Sequence, residues 1–162
     1  MDKNLLKLEK VISQEYIDEL RDIIIYQDID GSFNLYGKYK VIKTVDGVYK
    51  VNVDTTYTEQ IFYKLTNAIA WCSFDKRKLY NKASRLQQLD RLVYSMDTEI
   101  QIQAKLLKKT KDPSNAIIYL SKLSNNKEKK RNFISELNYF ITEYKNYQNG
   151  LFDKSKLLSH QR

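Results

Sequence analysis

Aliphatic residues recur with heptad spacing over residues 79–107, and a lysine-rich break ending in Asp112-Pro113 then opens a second periodic run. The first stripe is Leu79, Leu86, Leu89, Val93, Met96, Ile100 and Leu107, with Lys82 and Gln103 as polar exceptions. So narrow a stripe suits a coiled-coil seam better than a broad globular helix face. Lys108, Lys109 and Lys111 favour a helix C-terminus, while Asp at an N-cap and Pro at the first helical position favour a new start. The second run carries Ala116, Leu120, Leu123, Ile134, Leu137, Ile141 and Tyr144. Folding the arms about residue 112 sets Leu107 near Ile117, Met96 near Lys127 and Leu86 near Leu137. The spacing predicts an antiparallel helical hairpin over residues 76–150. Its weak point is Asn125 to Arg131, where Lys127 and Lys130 fall at positions the seam wants apolar; such lysines snorkel out along their stems or kink the arm.

The preceding residues read differently. Residues 4–26 have helical period, with Leu5, Leu8, Ile12, Tyr16, Leu20 and Ile23 or Ile24 on one face, and Asp28-Ile29-Asp30-Gly31 reads as a stop. From Phe33 to Thr55 β-branched and aromatic residues dominate. Asp46-Gly47 between two alternating runs predicts a β-hairpin with a two-residue loop, pairing Thr44 with Tyr49 and Ile42 with Val51. On that register Ile42, Tyr49, Val51 and Val53 share the buried face, and a third short strand is possible within the sheet. Thr56 to Glu59 matches a capping box, predicting a helix over 57–72 that carries Phe62, Leu65, Ile69 and Cys72, with Ala68 and Trp71 beside them, over the sheet. Asn149-Gly150 reads as a C-cap. The expectation is a mainly helical α+β protein: a small α+β domain over 1–75, a helical hairpin over 76–150, and a short helix or frayed tail over 151–162.

Charge divides the chain at nearly the same place. Residues 1–75 hold 9 lysines and arginines against 12 acids, a net of −3, while residues 76–162 hold 19 against 8, a net of +11. That asymmetry separates a scaffolding half from one suited to a polyanion or an acidic partner. Candidate polyanion contacts fall in three clusters: Lys76, Arg77 and Lys78; Lys105, Lys108, Lys109 and Lys111; and Lys127, Lys129, Lys130 and Arg131. Chemistry is harder to find. One cysteine and one histidine cannot make a structural zinc site, and Gly31, Gly37, Gly47 and Gly150 form no phosphate-cradling loop. Cys72 on an apolar stripe reads as packing, and His160 is poorly placed for a general base. No catalytic, cofactor-binding or metal-binding residue is expected. A lone cysteine suits a reducing compartment, and the longest apolar run, Ile23 to Tyr26, is too short to cross a bilayer.

The stretch Ile61-Phe62-Tyr63-Lys64-Leu65-Thr66-Asn67-Ala68-Ile69-Ala70-Trp71-Cys72-Ser73-Phe74-Asp75-Lys76 has a distinctive composition. So do Leu107-Lys108-Lys109-Thr110-Lys111-Asp112 and Ile117-Ile118-Tyr119-Leu120-Ser121-Lys122-Leu123. Together they resemble a group of small uncharacterised proteins encoded by T4-like marine phages. The resemblance implies a virion component or phage accessory factor and brings no catalytic residues with it. The seams over Leu86 to Ile100 and Ile134 to Tyr144 add the expectation of a non-enzymatic structural or assembly protein that oligomerises or docks through its helical hairpin. The expected partner is a second copy or another phage protein, with nucleic acid as the alternative and no membrane contact. The expected location is the virion or the host cytoplasm.

Overall fold

The computed structural model describes residues 25–54 and 59–160. It begins with five antiparallel strands in sequence order: β1 Ile25–Gln27, β2 Phe33–Leu35, β3 Tyr39–Lys43, β4 Tyr49–Val53 and β5 Gln60–Phe62. Three helices follow: α1 Leu65–Lys76, α2 Tyr80–Lys109 and α3 Pro113–His160. The mainly helical architecture with a small antiparallel sheet agrees with the sequence. Most of the expected N-terminal helix lies outside the described residues, but its last part does not: Ile25 and Tyr26 belong to β1. The sequence Asp28 to Gly31 turns β1 into β2 rather than ending a helix. The Asp28 N–H donates to the Ser32 carbonyl (2.8 Å) and the Ser32 hydroxyl to Asp30 (2.6 Å), while Gly31 supplies a φ of 88°.

The β3–β4 hairpin exists, but one residue out of the expected register. Val41 pairs with Val51 and Ile42 with Lys50. The Gly47 N–H donates to the Thr44 carbonyl (3.0 Å) and the Thr44 N–H to the Val48 carbonyl (2.8 Å), with Gly47 at φ 84°. That is a longer loop with glycine in the left-handed region, where a two-residue turn was expected. Side chains alternate with period two, so the one-residue slip carries Val41 into the core and Ile42 to the other face. A tight turn with two left-handed residues lies instead between β2 and β3, where Leu35 pairs with Tyr39. Tyr36 (φ 57°) and Gly37 (φ 67°) are both left-handed, and the Lys38 N–H closes on the Leu35 carbonyl at 3.1 Å. A bulky residue there is strained. Tyr36 is nonetheless buried, edge-on to Tyr39, with its hydroxyl donating to Gln148 Oε1 of α3 (3.2 Å).

Phe62 lies on β5, not on the following helix, so the expected helix start near Thr56 is displaced to Leu65. Thr56 to Thr58 lie outside the described residues; Glu59, just before β5, pairs with Lys50 across the sheet (3.4 Å). Helix α1 is the middle layer. Seven of its residues, Asn67, Ala68, Ala70, Trp71, Cys72, Ser73 and Phe74, are buried, which covers every side of a 12-residue helix. Trp71 meets Tyr39 and Phe62 of the sheet, while Phe74 meets Phe140 of α3 edge-on. The helix ends in a Schellman motif: the Leu79 N–H donates to the Phe74 carbonyl (2.9 Å) and the Lys78 N–H to the Asp75 carbonyl (3.0 Å). Lys78 occupies the left-handed position usually given to glycine, at φ 61°.

Helices α2 and α3 form the antiparallel hairpin. Asp112 caps α3 as expected, accepting the Ser114 N–H at 3.0 Å, with Pro113 in the first turn. The register is fixed by Lys82 with Glu143, Arg85 with Glu136, and Asp97 with Lys130. Ala83, Leu86, Leu89, Val93, Leu137 and Tyr144 are buried and join Leu35, Val51 and Trp71 in one continuous core. Leu79, Ile134 and Ile141 pack against that core part-buried, and Met96, Ile100 and Leu107 are half-buried farther along the seam. Helix α3 does not stop at Asn149-Gly150 but continues through both to His160, so residues 151–160 extend the long helix.

Candidate functional site

The far end of the hairpin is the least covered part of the described chain. Near the sheet, the seam is closed by α1 and by the sheet itself. Toward residues 102–122 only α2 and α3 remain. Ile117, Ile118 and Leu120 are 69%, 50% and 56% exposed, with Ile102 and Leu106 of α2 also exposed. Leu120 was expected in the seam. The inward arc of α3 instead runs Ala116, Tyr119, Leu123, Asn126 and Lys130, and Leu120, one residue past Tyr119, points about 100° away from it. Ile117, expected against Leu107, is likewise outside. Lys105, Lys108, Lys109, Lys111 and Lys122 lie at the same end as these aliphatic side chains and are exposed. The single acid of the end, Asp112, is the helix cap.

The other candidate cations lie elsewhere. Halfway along the hairpin, Lys127, Lys129 and Arg131 are exposed, but Lys130 turns in to Asp97. Close by, the Asn126 amide donates to the buried Gln103 at 2.9 Å, so one polar exception in each arm answers the other. At the base, Lys76 stands over the Tyr36 ring (5.0 Å), and Arg77 lies against Tyr147 (3.6 Å) and Phe74 (5.0 Å). Arg77 also donates to the Ser73 hydroxyl at 3.1 Å, and its burial lowers the affinity of the guanidinium for its proton. Lys78 is exposed. The three clusters are spread along the hairpin from its base to its far end.

One charged group that the sequence does not single out is deeply placed. Asp90 of α2 sits beside Leu89 on the inward side, 3% exposed, at a cavity of about 100 Å³ with Tyr63, Asn67, Tyr94 and Leu137 in its walls. The Asn67 amide donates to Oδ1 (2.8 Å) and the Tyr63 N–H to Oδ2 (3.0 Å). Helix α1 has Lys64 at its N-cap, no side-chain cap of its own and no acid in its first turn. Asp90 does not bond the first-turn N–H groups; from a neighbouring helix it anchors the entry to α1, through the N–H of the residue before the N-cap and the Asn67 side chain. Burial outweighs these hydrogen bonds and raises the carboxyl above its ordinary value. The stacked rings of Tyr63 and Tyr94, 3.8 Å apart, close one side. The arrangement is a buried structural anchor between α2 and the start of α1. Cys72 is fully buried and its thiol is pushed up by desolvation, which makes it packing rather than a nucleophile. Among the described residues no three His, Cys, Asp or Glu side chains gather as metal ligands, and no helix is long and apolar enough to cross a membrane.

No family model, no curated protein and no solved structure matches this chain.

Proposed function

We propose that the chain is a non-enzymatic docking protein, in which the sheet and α1 hold the helical hairpin outward and its far end meets a partner. One observation carries the reading. The seam is packed beside the sheet, yet five large aliphatic side chains, Ile102, Leu106, Ile117, Ile118 and Leu120, stand exposed together at the other end. Large apolar side chains left exposed at one end of a domain, among charged ones, mark interaction sites in soluble domains. The resemblance to small phage proteins suggests structural assembly as the setting. Nucleic acid is the weaker alternative, because the candidate cations are dispersed along the hairpin and Lys76, Arg77 and Lys130 are engaged in packing or pairing.

The test is a triple variant, Ile117→Ser with Ile118→Ser and Leu120→Ser, compared with the full chain by thermal melting and by light scattering after size exclusion at about 0.1 M and about 1 M salt. Exposed residues contribute little to folding, so Tm should stay within about 3 °C while association through the end is lost. A fall of about 10 °C or more would mean that these side chains are packed, and the reading would be wrong.

A further inference from the structure

Resting on that reading, we infer that the hairpin end docks onto an anionic lipid surface. The exposed aliphatic residues do not form a single stripe. Ile117 and Ile118 are consecutive, hence about 100° apart on the helix, and Ile102 and Leu106 come from the other arm. A protein groove that receives a helix reads one stripe of anchors at i, i+3, i+4 and i+7. A convex end that is apolar on several sides is covered more completely by the headgroup–acyl boundary, which surrounds whatever enters it.

The charges agree with this occupant. Lys105, Lys108, Lys109, Lys111 and Lys122 are exposed at the same end as the aliphatic side chains, and Asp112 is held by the α3 backbone. All five cations are lysines, whose flexible stems can lie along apolar surface while the ammonium groups stay at headgroup level. Two identical ends would repel each other, which disfavours a tip-to-tip dimer but not a contact of the end with another part of a second copy. Nucleic acid would satisfy the lysines but leave the isoleucines uncovered, and the exposed large apolar residues here are aliphatic rather than aromatic stacking platforms. Docking of this sort does not cross the bilayer. It departs from the expectation of no membrane contact, which rests on the lack of a spanning segment alone. A few aliphatic side chains and a few exposed lysines are each weak signals, and stable attachment needs both.

The experiment sediments the full-length chain with vesicles of phosphatidylcholine alone or with about 30% phosphatidylserine at about 0.1 M salt. Binding should require phosphatidylserine and weaken at about 0.5 M salt. Each lysine removed should lower partitioning about five-fold, so Lys108→Gln with Lys109→Gln and Lys111→Gln should lower it on the order of a hundred-fold. The Ile117, Ile118 and Leu120 serine variant should also detach, with an unchanged melting curve showing that both variants fold. No binding to the anionic vesicles overturns the inference, as does binding that the serine variant leaves intact. Capture by duplex DNA that needs the lysines but not the isoleucines also overturns it. If vesicles are not bound but the serine variant still abolishes self-association, the lipid inference falls and docking through the end survives. If neither changes, both fall.

Discussion

Replacing Asp90 with alanine removes the anchor that ties the entry of α1 to α2. Two donors lose their partner: the Asn67 amide at 2.8 Å and the Tyr63 N–H at 3.0 Å. A donor left buried and unpaired costs about 1–3 kcal/mol. The adjacent cavity, about 100 Å³, admits a water that recovers part of this. The net loss should therefore be about 2–4 kcal/mol, or roughly 5–15 °C in Tm for a chain of this size. Urea titration of the variant, of Asn67→Ala and of the double variant measures both the loss and the coupling, which should exceed about 0.5 kcal/mol for residues in direct contact. A pH series adds an independent check. Burial raises the Asp90 carboxyl above 3.8, so the folded chain holds that proton to higher pH than the unfolded chain does. Its stabilising contribution is therefore present below 3.8 and declines as pH climbs toward the raised folded value, the reverse of a salt-bridged aspartate. Against Asp90→Asn, which does not titrate, the wild type should lose ground over that climb. A loss under about 0.5 kcal/mol with no coupling to Asn67 would refute the anchoring role.

Other expectations follow from the backbone and the seam. Lys78→Gly relieves a left-handed lysine in the Schellman motif and should stabilise by about 1 kcal/mol in denaturant melts. Gly47→Ala, at φ 84°, should cost about 1 kcal/mol by the same measurement. Gly150→Ala, inside α3 with open space around the added methyl, should gain about 0.5–1 kcal/mol; a loss would argue that α3 breaks there. Replacing Gln103 and Asn126 together by leucine should be neutral or stabilising in Tm. It should also weaken the single register of the hairpin, read as new disulfide pairings between cysteines placed along the two arms.

The helical hairpin was legible because its two signals agree: heptad spacing over Leu86 to Leu107, and an Asp-Pro start that admits only a new helix. Its depth was not. Whether Tyr119 or Leu120 faces inward depends on about 100° of helix rotation, which is set by cross-arm pairs such as Gln103 with Asn126 and not by either arm alone. The β3–β4 hairpin was visible from Asp46-Gly47. Its register was not, since a loop one residue longer moves every side chain across the sheet. Strands β1, β2 and β5 are three residues each, too short for alternation to show, and β5 borrowed the helical look of the residues after it. The lysines of the far end stand out in the sequence, whereas the exposure of the isoleucines among them appears only once the arms are paired. Asp90 gave no signal beyond a charge beside a seam leucine.

The Tyr36 turn has a mechanical consequence. Its hydroxyl ties the β2–β3 turn of the sheet to Gln148, on a helix that runs unbroken past the sheet to the opposite end of the molecule. Helix α2, 30 residues long, spans about 45 Å. Over that length a 10° swivel at the base would sweep the tip through roughly 8 Å. The aiming accuracy of the tip is thus decided at the opposite end, by a few aromatic side chains around Tyr36, Phe74 and Tyr144. Loosening that pivot would blur where the tip points while leaving every residue at the tip unchanged.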